Sequence, residues 1–129
     1  MERQVSIYPT EELRKIMKKD VVTVRPDDDI RYAAELMEKH NIGCVVVVKD
    51  RKPLGILTER DYVKMASRGR TPDTKVEAVM TAPPVTCEAS KKAAEAFVLM
   101  ATNRIDHLPV TDSGQLVGIV AVRDLFFYW

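Results

Sequence analysis

Two carboxylates stand at matching places in this chain. Asp61 closes the stretch Gly55-Ile-Leu-Thr-Glu-Arg-Asp61, and Asp124 closes Gly118-Ile-Val-Ala-Val-Arg-Asp124. An ionised carboxylate accepts hydrogen bonds at two oxygens, so it can hold both vicinal hydroxyls of a ribose. Each aspartate follows a strand-like run and lies where a helix begins, a place that favours the charged form. Arg60 and Arg123 precede them. Each arginine is either a cation for a phosphate or an ordinary surface partner of its neighbour. The glycines would let a flat base approach the strand backbone. A plainer reading stands beside this one. Thr58-Glu-Arg-Asp61 is also a helix-start capping box. In the second copy Ala121 replaces Thr58 and has no hydroxyl to cap with, so reciprocal capping does not account for both aspartates.

Other reactive patterns are missing. The sequence holds no phosphate-cradling glycine loop of either strong kind, no metal-ligand spacing and no nucleophile with its base. The protein is therefore not expected to be an enzyme. His107, behind Asp106 at the start of a strand-like run, reads equally as a structural histidine or a cation facing a ligand. Cys44 and Cys87 sit in apolar stretches and read as buried structural thiols. With 20 basic and 19 acidic residues the formal net charge is +1, so nucleic acid is a disfavoured partner. No apolar run is long enough for a membrane span, and the first thirty residues are too polar for a signal peptide. A cytoplasmic location is expected.

The elements that position the aspartates are written twice. At an offset of 63 residues, without a gap, Met17 falls on Met80 and Val22-Thr23 on Val85-Thr86. Ala33, Leu36-Met37, Ile42 and Val47 fall on Ala96, Leu99-Met100, Ile105 and Val110, and Gly55-Ile56 and Arg60-Asp61 on Gly118-Ile119 and Arg123-Asp124. Repetition at a fixed period is a signal about the whole fold. Each copy reads as a short lead-in helix (Glu11–Met17, Lys75–Met80), a brief extended piece (Val21–Val24, Val85–Cys87) and a longer helix. Ile30, Ala33, Ala34 and Met37 share one face of that helix, as do Ala93, Ala96, Phe97 and Met100. Pro26-Asp27-Asp28 and Ser90 are its start signals, and Asn41 is a stop. Two strands follow, Cys44–Val48 with Leu54–Thr58 and His107–Thr111 with Leu116–Ala121. They are joined by turns at 50–53 and 112–115. Helices then begin at Glu59 and Val122. The fold class is α/β (α+β): β-α-β-β-α repeats at 11–67 and 75–129, a linker at 68–74, and pseudo-twofold symmetry.

This pattern resembles a tandem pair of cystathionine-β-synthase-type (CBS) domains, a Bateman module. The resemblance rests on the two glycine-to-aspartate segments, Met80-Thr-Ala-Pro-Pro-Val-Thr86 and Ile105-Asp-His-Leu-Pro-Val110, and covers the chain from about residue 11 onward. It implies a stand-alone regulatory module that binds AMP, ADP, ATP or another adenosyl compound, with or without Mg²⁺, in clefts between the repeats. Carried over by position, one pocket uses Thr58, Arg60 and Asp61 with Pro84, Val85, Asp106 and His107. The other uses Ala121, Arg123 and Asp124 with Val21, Val22, Gly43 and Cys44. The pocket with Thr58 and Asp61 is expected to bind tighter. The resemblance also implies a homodimer and a regulated partner protein of unknown identity.

A structural or oligomerisation module with vestigial clefts is the competing reading, and the lost hydroxyl at Ala121 favours it for one pocket. The apolar ending Leu125-Phe-Phe-Tyr-Trp129 is read as a helix that packs on the core or forms a dimer contact.

Overall fold

The computed structural model describes residues 5–7 and 10–128, with side chains from 10 to 126. Trp129 and the side chains of Phe127 and Tyr128, part of the aromatic ending, lie outside the described residues. In chain order the elements are β1 (Val5–Ile7), α1 (Leu13–Ile16), β2 (Thr23–Val24), α2 (Ile30–His40), β3 (Cys44–Lys49), β4 (Lys52–Thr58) and α3 (Glu59–Ser67). A 3₁₀ turn at Val76–Ala78 precedes β5 (Cys87–Glu88), α4 (Ala93–Asn103), β6 (His107–Asp112) and β7 (Gln115–Ala121). A second 3₁₀ turn, Val122–Leu125, leads into β8 (Phe126–Tyr128). The fold is mixed α/β, with two sheets of three strands, β2-β3-β4 and β5-β6-β7, and a separate β1-β8 ribbon.

The chain forms two compact units. One is Val21–Pro84; the other joins Met1–Asp20 to Val85–Trp129. They are called the 21–84 unit and the 85–129 unit.

In the 21–84 unit, the Asp29 carboxylate accepts from Tyr32 N at 2.8 Å and starts α2, while Asn41 at φ 50° ends it. Asparagine tolerates that left-handed conformation better than most residues. Ile30, Ala33 and Met37 bury the face that the periodicity predicts. They pack with Val45, Val47, Leu57, Met65 and Val76. Cys44 to Val47 are all buried, as expected for a central strand covered on both faces. The tight turn to β4 is Asp50-Arg51, both with positive φ, and Lys52 and Pro53 already belong to the strand. That is one turn residue pair, shorter than the 50–53 stretch read from the sequence.

The 85–129 unit repeats this plan around Ala93, Ala96, Met100, Leu108, Val110 and Val120. One difference follows from a single atom. In β3, Val46 N donates to Val22 O at 3.2 Å and the parallel pairing starts at Thr23. Pro109 occupies the matching place in β6 and has no N–H. Parallel pairing there starts one position later in the repeat, at Cys87 with Val110.

The lead-in helices are shorter than the sequence pattern suggests, and each packs within the unit whose main sheet comes from the other repeat. Leu13 is fully buried in the core of the 85–129 unit. Its N–H donates to Lys91 O at 2.9 Å, and Ala93 N donates to Glu11 O at 2.9 Å. In the 21–84 unit, Ile30 N likewise donates to Thr74 O at 2.9 Å, and Val76 is fully buried. The lead-in thus supplies acceptors for the unpaired amides at the start of each long helix.

The C-terminal stretch departs from expectation. In place of a helix from Val122 onward there is one 3₁₀ turn and then β8, which pairs antiparallel with β1. Leu125 is fully buried, and Phe126 meets Phe97 edge to face with centroids 5.8 Å apart. Backbone pairing of Phe126 to Tyr128 with Ile7 to Val5 takes this stretch out of a helical path.

Leu13→Ala should cost about 2–5 kcal/mol, as measured by denaturant unfolding, because the removed side chain is fully enclosed. A second expectation concerns alkali. Tyr62 donates its hydroxyl to Ile30 O at 2.5 Å, and burial, with the nearby Asp29 charge, pushes its pKa from 10.0 up to about 12. The unfolded chain releases this proton first, so the contribution to stability is present below pH 10 and fades as pH rises toward 12. Tyr62→Phe should flatten that part of the stability profile.

Candidate functional site

At the end of β4 in the 21–84 unit, Cys44 pairs with Thr58, and Glu59 N donates to Gly43 O at 3.0 Å. This junction fixes the start of α3. Asp61 lies in the first turn, only 7% exposed. Its Oδ2 accepts from Thr58 N at 2.9 Å and from Thr58 Oγ1 at 3.1 Å, while Asp61 N donates to Thr58 Oγ1 at 3.3 Å. The capping-box reading therefore holds for Thr58 and Asp61. A further donor was not apparent from the sequence: Thr81 Oγ1 reaches Asp61 Oδ1 at 3.1 Å. Arg60 is exposed beside this group.

The 85–129 unit builds the equivalent junction with different side chains. His107 pairs with Ala121, and Val122 N donates to Asp106 O at 2.9 Å. Asp124 is half-buried and accepts from Ala121 N at 2.8 Å. So Asp124 still caps an amide although Ala121 has no hydroxyl; half of the reciprocal arrangement survives. Among the described residues that is its one hydrogen bond. His107 Nδ1 lies 2.9 Å from the exposed Asp106 Oδ1, which orients the ring, and Arg123 is exposed.

The structure therefore gathers Thr58, Arg60, Asp61, Gly43 and Cys44 at one junction, and Ala121, Arg123, Asp124, Asp106 and His107 at the other. Val21 and Val22 are half-buried on the approach to β2, where Val22 packs on the core of its unit. Pro84 closes the 21–84 unit, and half-buried Val85 packs on the core of the 85–129 unit.

The two strand glycines do something other than admit a base. A Cβ on Gly55 would lie 2.6 Å from Met80 Sδ and 3.0 Å from Thr81 O. One on Gly118 would collide with the Met17 thioether and come within 2.9 Å of Lys18 O. The space is filled by the lead-in segments. Thr81 exchanges both backbone hydrogen bonds with Ile56, at 2.9 and 3.0 Å, and Lys18 does the same with Ile119 at 2.9 Å. That docking is what brings Thr81 to Asp61. Its trace in the sequence is the repeated methionine, Met17 and Met80, ahead of residues 18 and 81.

A groove of about 460 Å³ lies between α2 and α3, lined by Ile30, Arg31, Tyr62, Met65, Arg70 and Pro72 among others. Neither Thr58 nor Asp61 lines it. No cluster of metal-binding side chains is found among the described residues. No helix among them is long and apolar enough to cross a membrane.

Both cysteines are buried and outside any disulfide. Burial, with the Glu95 carboxylate adding to it, pushes the Cys87 thiol pKa up, which keeps it protonated and a poor nucleophile. Iodoacetamide at pH 8 should label Cys87 slowly in the native protein and rapidly once guanidinium unfolds it.

Comparison with known proteins agrees with this geometry. The family model described as CBS domain matches twice, over residues 13–68 and 76–129. An uncharacterized protein of Methanopyrus kandleri is 37% identical over 115 residues; the match covers 86% of this chain and 59% of that protein. The crystal structure of a CBS-domain containing protein from Agrobacterium tumefaciens superposes with a TM-score of 0.81 at 36% identity, covering 89% of this chain and 96% of that one. The CBS domain pair of protein MJ0100, solved with 5-methylthioadenosine and S-adenosyl-L-methionine, superposes with a TM-score of 0.82 at 27% identity over 90% of this chain and 93% of that one. With two family matches that follow the internal repeat, this chain belongs to the CBS-domain family.

Proposed function

We propose that this chain is a non-enzymatic regulatory module that binds adenine nucleotides (AMP, ADP or ATP) or a related adenosyl compound. The observation that carries this reading is the duplicated carboxylate. Asp61 and Asp124 are each fixed by an amide three residues earlier, at 2.9 and 2.8 Å, and each is presented at the end of a glycine-bearing strand. A carboxylate held this way is oriented in advance for a ribose diol, so less conformational freedom is lost on binding. The adenosyl ligands of the MJ0100 domain pair support the same ligand class here. Exposed Arg60 and Arg123 supply charge for phosphates, and Mg²⁺ would enter only as the companion of a polyphosphate. No further cofactor is required. Signalling follows from a shift in population: a ligand that prefers one conformation raises its share and changes affinity for a partner protein. A cytoplasmic location is part of this reading. A homodimer is the assembly that the family resemblance implies.

A second reading, a structural module with vestigial sites, is favoured by one observation. The Asp61 carboxylate already has donors on both oxygens.

A thermal-shift panel of AMP, ADP, ATP and S-adenosylmethionine, with and without Mg²⁺, separates the two. A ligand at a hundredfold excess over its Kd should stabilise the protein by about 2.7 kcal/mol, a shift of several degrees. The double variant Asp61→Asn, Asp124→Asn should abolish that shift. If no adenosyl compound moves the melting temperature, the structural reading replaces the proposed one.

A further inference from the structure

Each lead-in docks within its unit through the same main-chain bonds, position for position at the 63-residue offset. In the 85–129 unit, Leu13 N donates to Lys91 O at 2.9 Å and Arg14 N to Ala89 O at 3.0 Å. In the 21–84 unit, Val76 N donates to Asp28 O at 2.8 Å and Glu77 N to Pro26 O at 3.0 Å. Ala93 N to Glu11 O matches Ile30 N to Thr74 O, both at 2.9 Å. The two-way exchange of Lys18 with Ile119 matches that of Thr81 with Ile56. Each lead-in also buries one side chain completely, Leu13 or Val76, and sets a methionine thioether against a strand glycine.

The backbone therefore holds the two segments alike, and the difference lies in the side chain of the last docked residue. Thr81 Oγ1 donates to Asp61 Oδ1 at 3.1 Å, and Asp61 is itself fixed by the amide and hydroxyl of Thr58. This bond ties the lead-in to the first turn of α3 as well as to β4. Lys18 stands at the matching place in the other unit. Among the described residues its side chain makes no hydrogen bond or ion pair, and Asp124 receives one hydrogen bond, from Ala121 N.

A hydrogen bond to an ionised carboxylate is one of the stronger single contacts that a hydroxyl makes, and Asp61 is only 7% exposed. Thr81 cannot leave β4 until that bond breaks. Among the described residues, no side-chain bond has to break before Lys18 leaves β7.

We propose that Thr81 and Asp61 form a latch and that the two lead-ins open unequally. The N-terminal one, held at Lys18 by main chain alone, is the moving part of the module; the one that ends at Thr81 stays seated. Segments held by few contacts open locally while the rest of the fold persists. β7 is an outer strand of its sheet, so opening there leaves the N–H and C=O of Ile119 unpaired on an edge. The latch operates without any ligand, so it stands or falls apart from the adenosyl-binding reading.

Native-state amide hydrogen exchange on the whole chain tests it. Ile56 N and Ile119 N donate to Thr81 O and Lys18 O, so each amide reports the opening of one lead-in. The Ile56 amide should be protected about tenfold more than the Ile119 amide, the worth of one hydrogen bond to a charged group. Thr81→Val keeps the branched shape and removes the hydroxyl; it should lower protection at Ile56 by that factor and leave Ile119 unchanged. Thr81→Ser, which keeps the hydroxyl, should hold Ile56 near the wild-type value. Thr81 is exposed, so both variants should fold; if Thr81→Val does not, the comparison of the two amides in the wild type decides by itself. Equal protection of the two amides in the wild type overturns the proposal. So does an unchanged Ile56 amide in Thr81→Val, a fall at both amides together, or an equal loss in Thr81→Ser.

Discussion

The absence of one side-chain carbon in each final strand governs the rest of the structure. Gly55 and Gly118 let a lead-in segment lie flat on the strand, close enough to exchange two backbone hydrogen bonds with the next residue. The thioethers of Met80 and Met17 fill the volume that a Cβ would claim. Methionine suits this task, being unbranched and able to fit an irregular gap. Once the segment is seated, Thr81 stands beside the Asp61 carboxylate, and the neighbouring Val76 and Leu13 reach the cores of their units. Core packing and site construction thus depend on the same contact.

Twofold repetition of a site does not produce two equal sites. The amide that holds each aspartate is contributed by backbone and is therefore indifferent to the side chain at 58 or 121. What surrounds the carboxylate is contributed by side chains and has diverged. Threonine hydroxyls at 58 and 81 both reach the Asp61 carboxylate; alanine and lysine stand at the matching positions 121 and 18, and among the described residues the Ala121 amide is the donor to Asp124. A duplicated scaffold is held in common by its main chain while its chemistry separates.

Much of this was legible in the sequence, and the reasons differ by element. α2 was readable because periodicity and stop signal agree: Ile30, Ala33 and Met37 on one face, and Asn41 at the end. The cap itself is Asp29, the last of three consecutive aspartates. β3 and β6 were readable as apolar runs between turns. The ending was misread because a short apolar run such as 125–128 satisfies helix and strand alike, and its partner strand, β1, lies at the other end of the chain. The exchange of lead-ins between repeats was not legible, since Leu13 joins residues beyond position 85 in space through contacts that no local pattern encodes. Of the site, the aspartates and their capping geometry were visible at a spacing of three. Thr81 was not, because it lies twenty residues from Asp61 along the chain, and the strand glycines were assigned to a ligand when a methionine occupies that space.

The division of the chain into units has a consequence for how it comes off the ribosome. The 21–84 unit is one uninterrupted stretch, whereas the other unit needs residues from before 20 and after 85. All of the first can emerge and close while Leu13 still lacks Ala93, Leu108 and Val120, its partners in the finished core. Segments are translated in order, N-terminal first. The N-terminal lead-in is therefore made early and buried late. In the interval Leu13 is an apolar side chain on a charged segment with no core to enter, and the whole 21–84 stretch separates it along the chain from the strands it must meet.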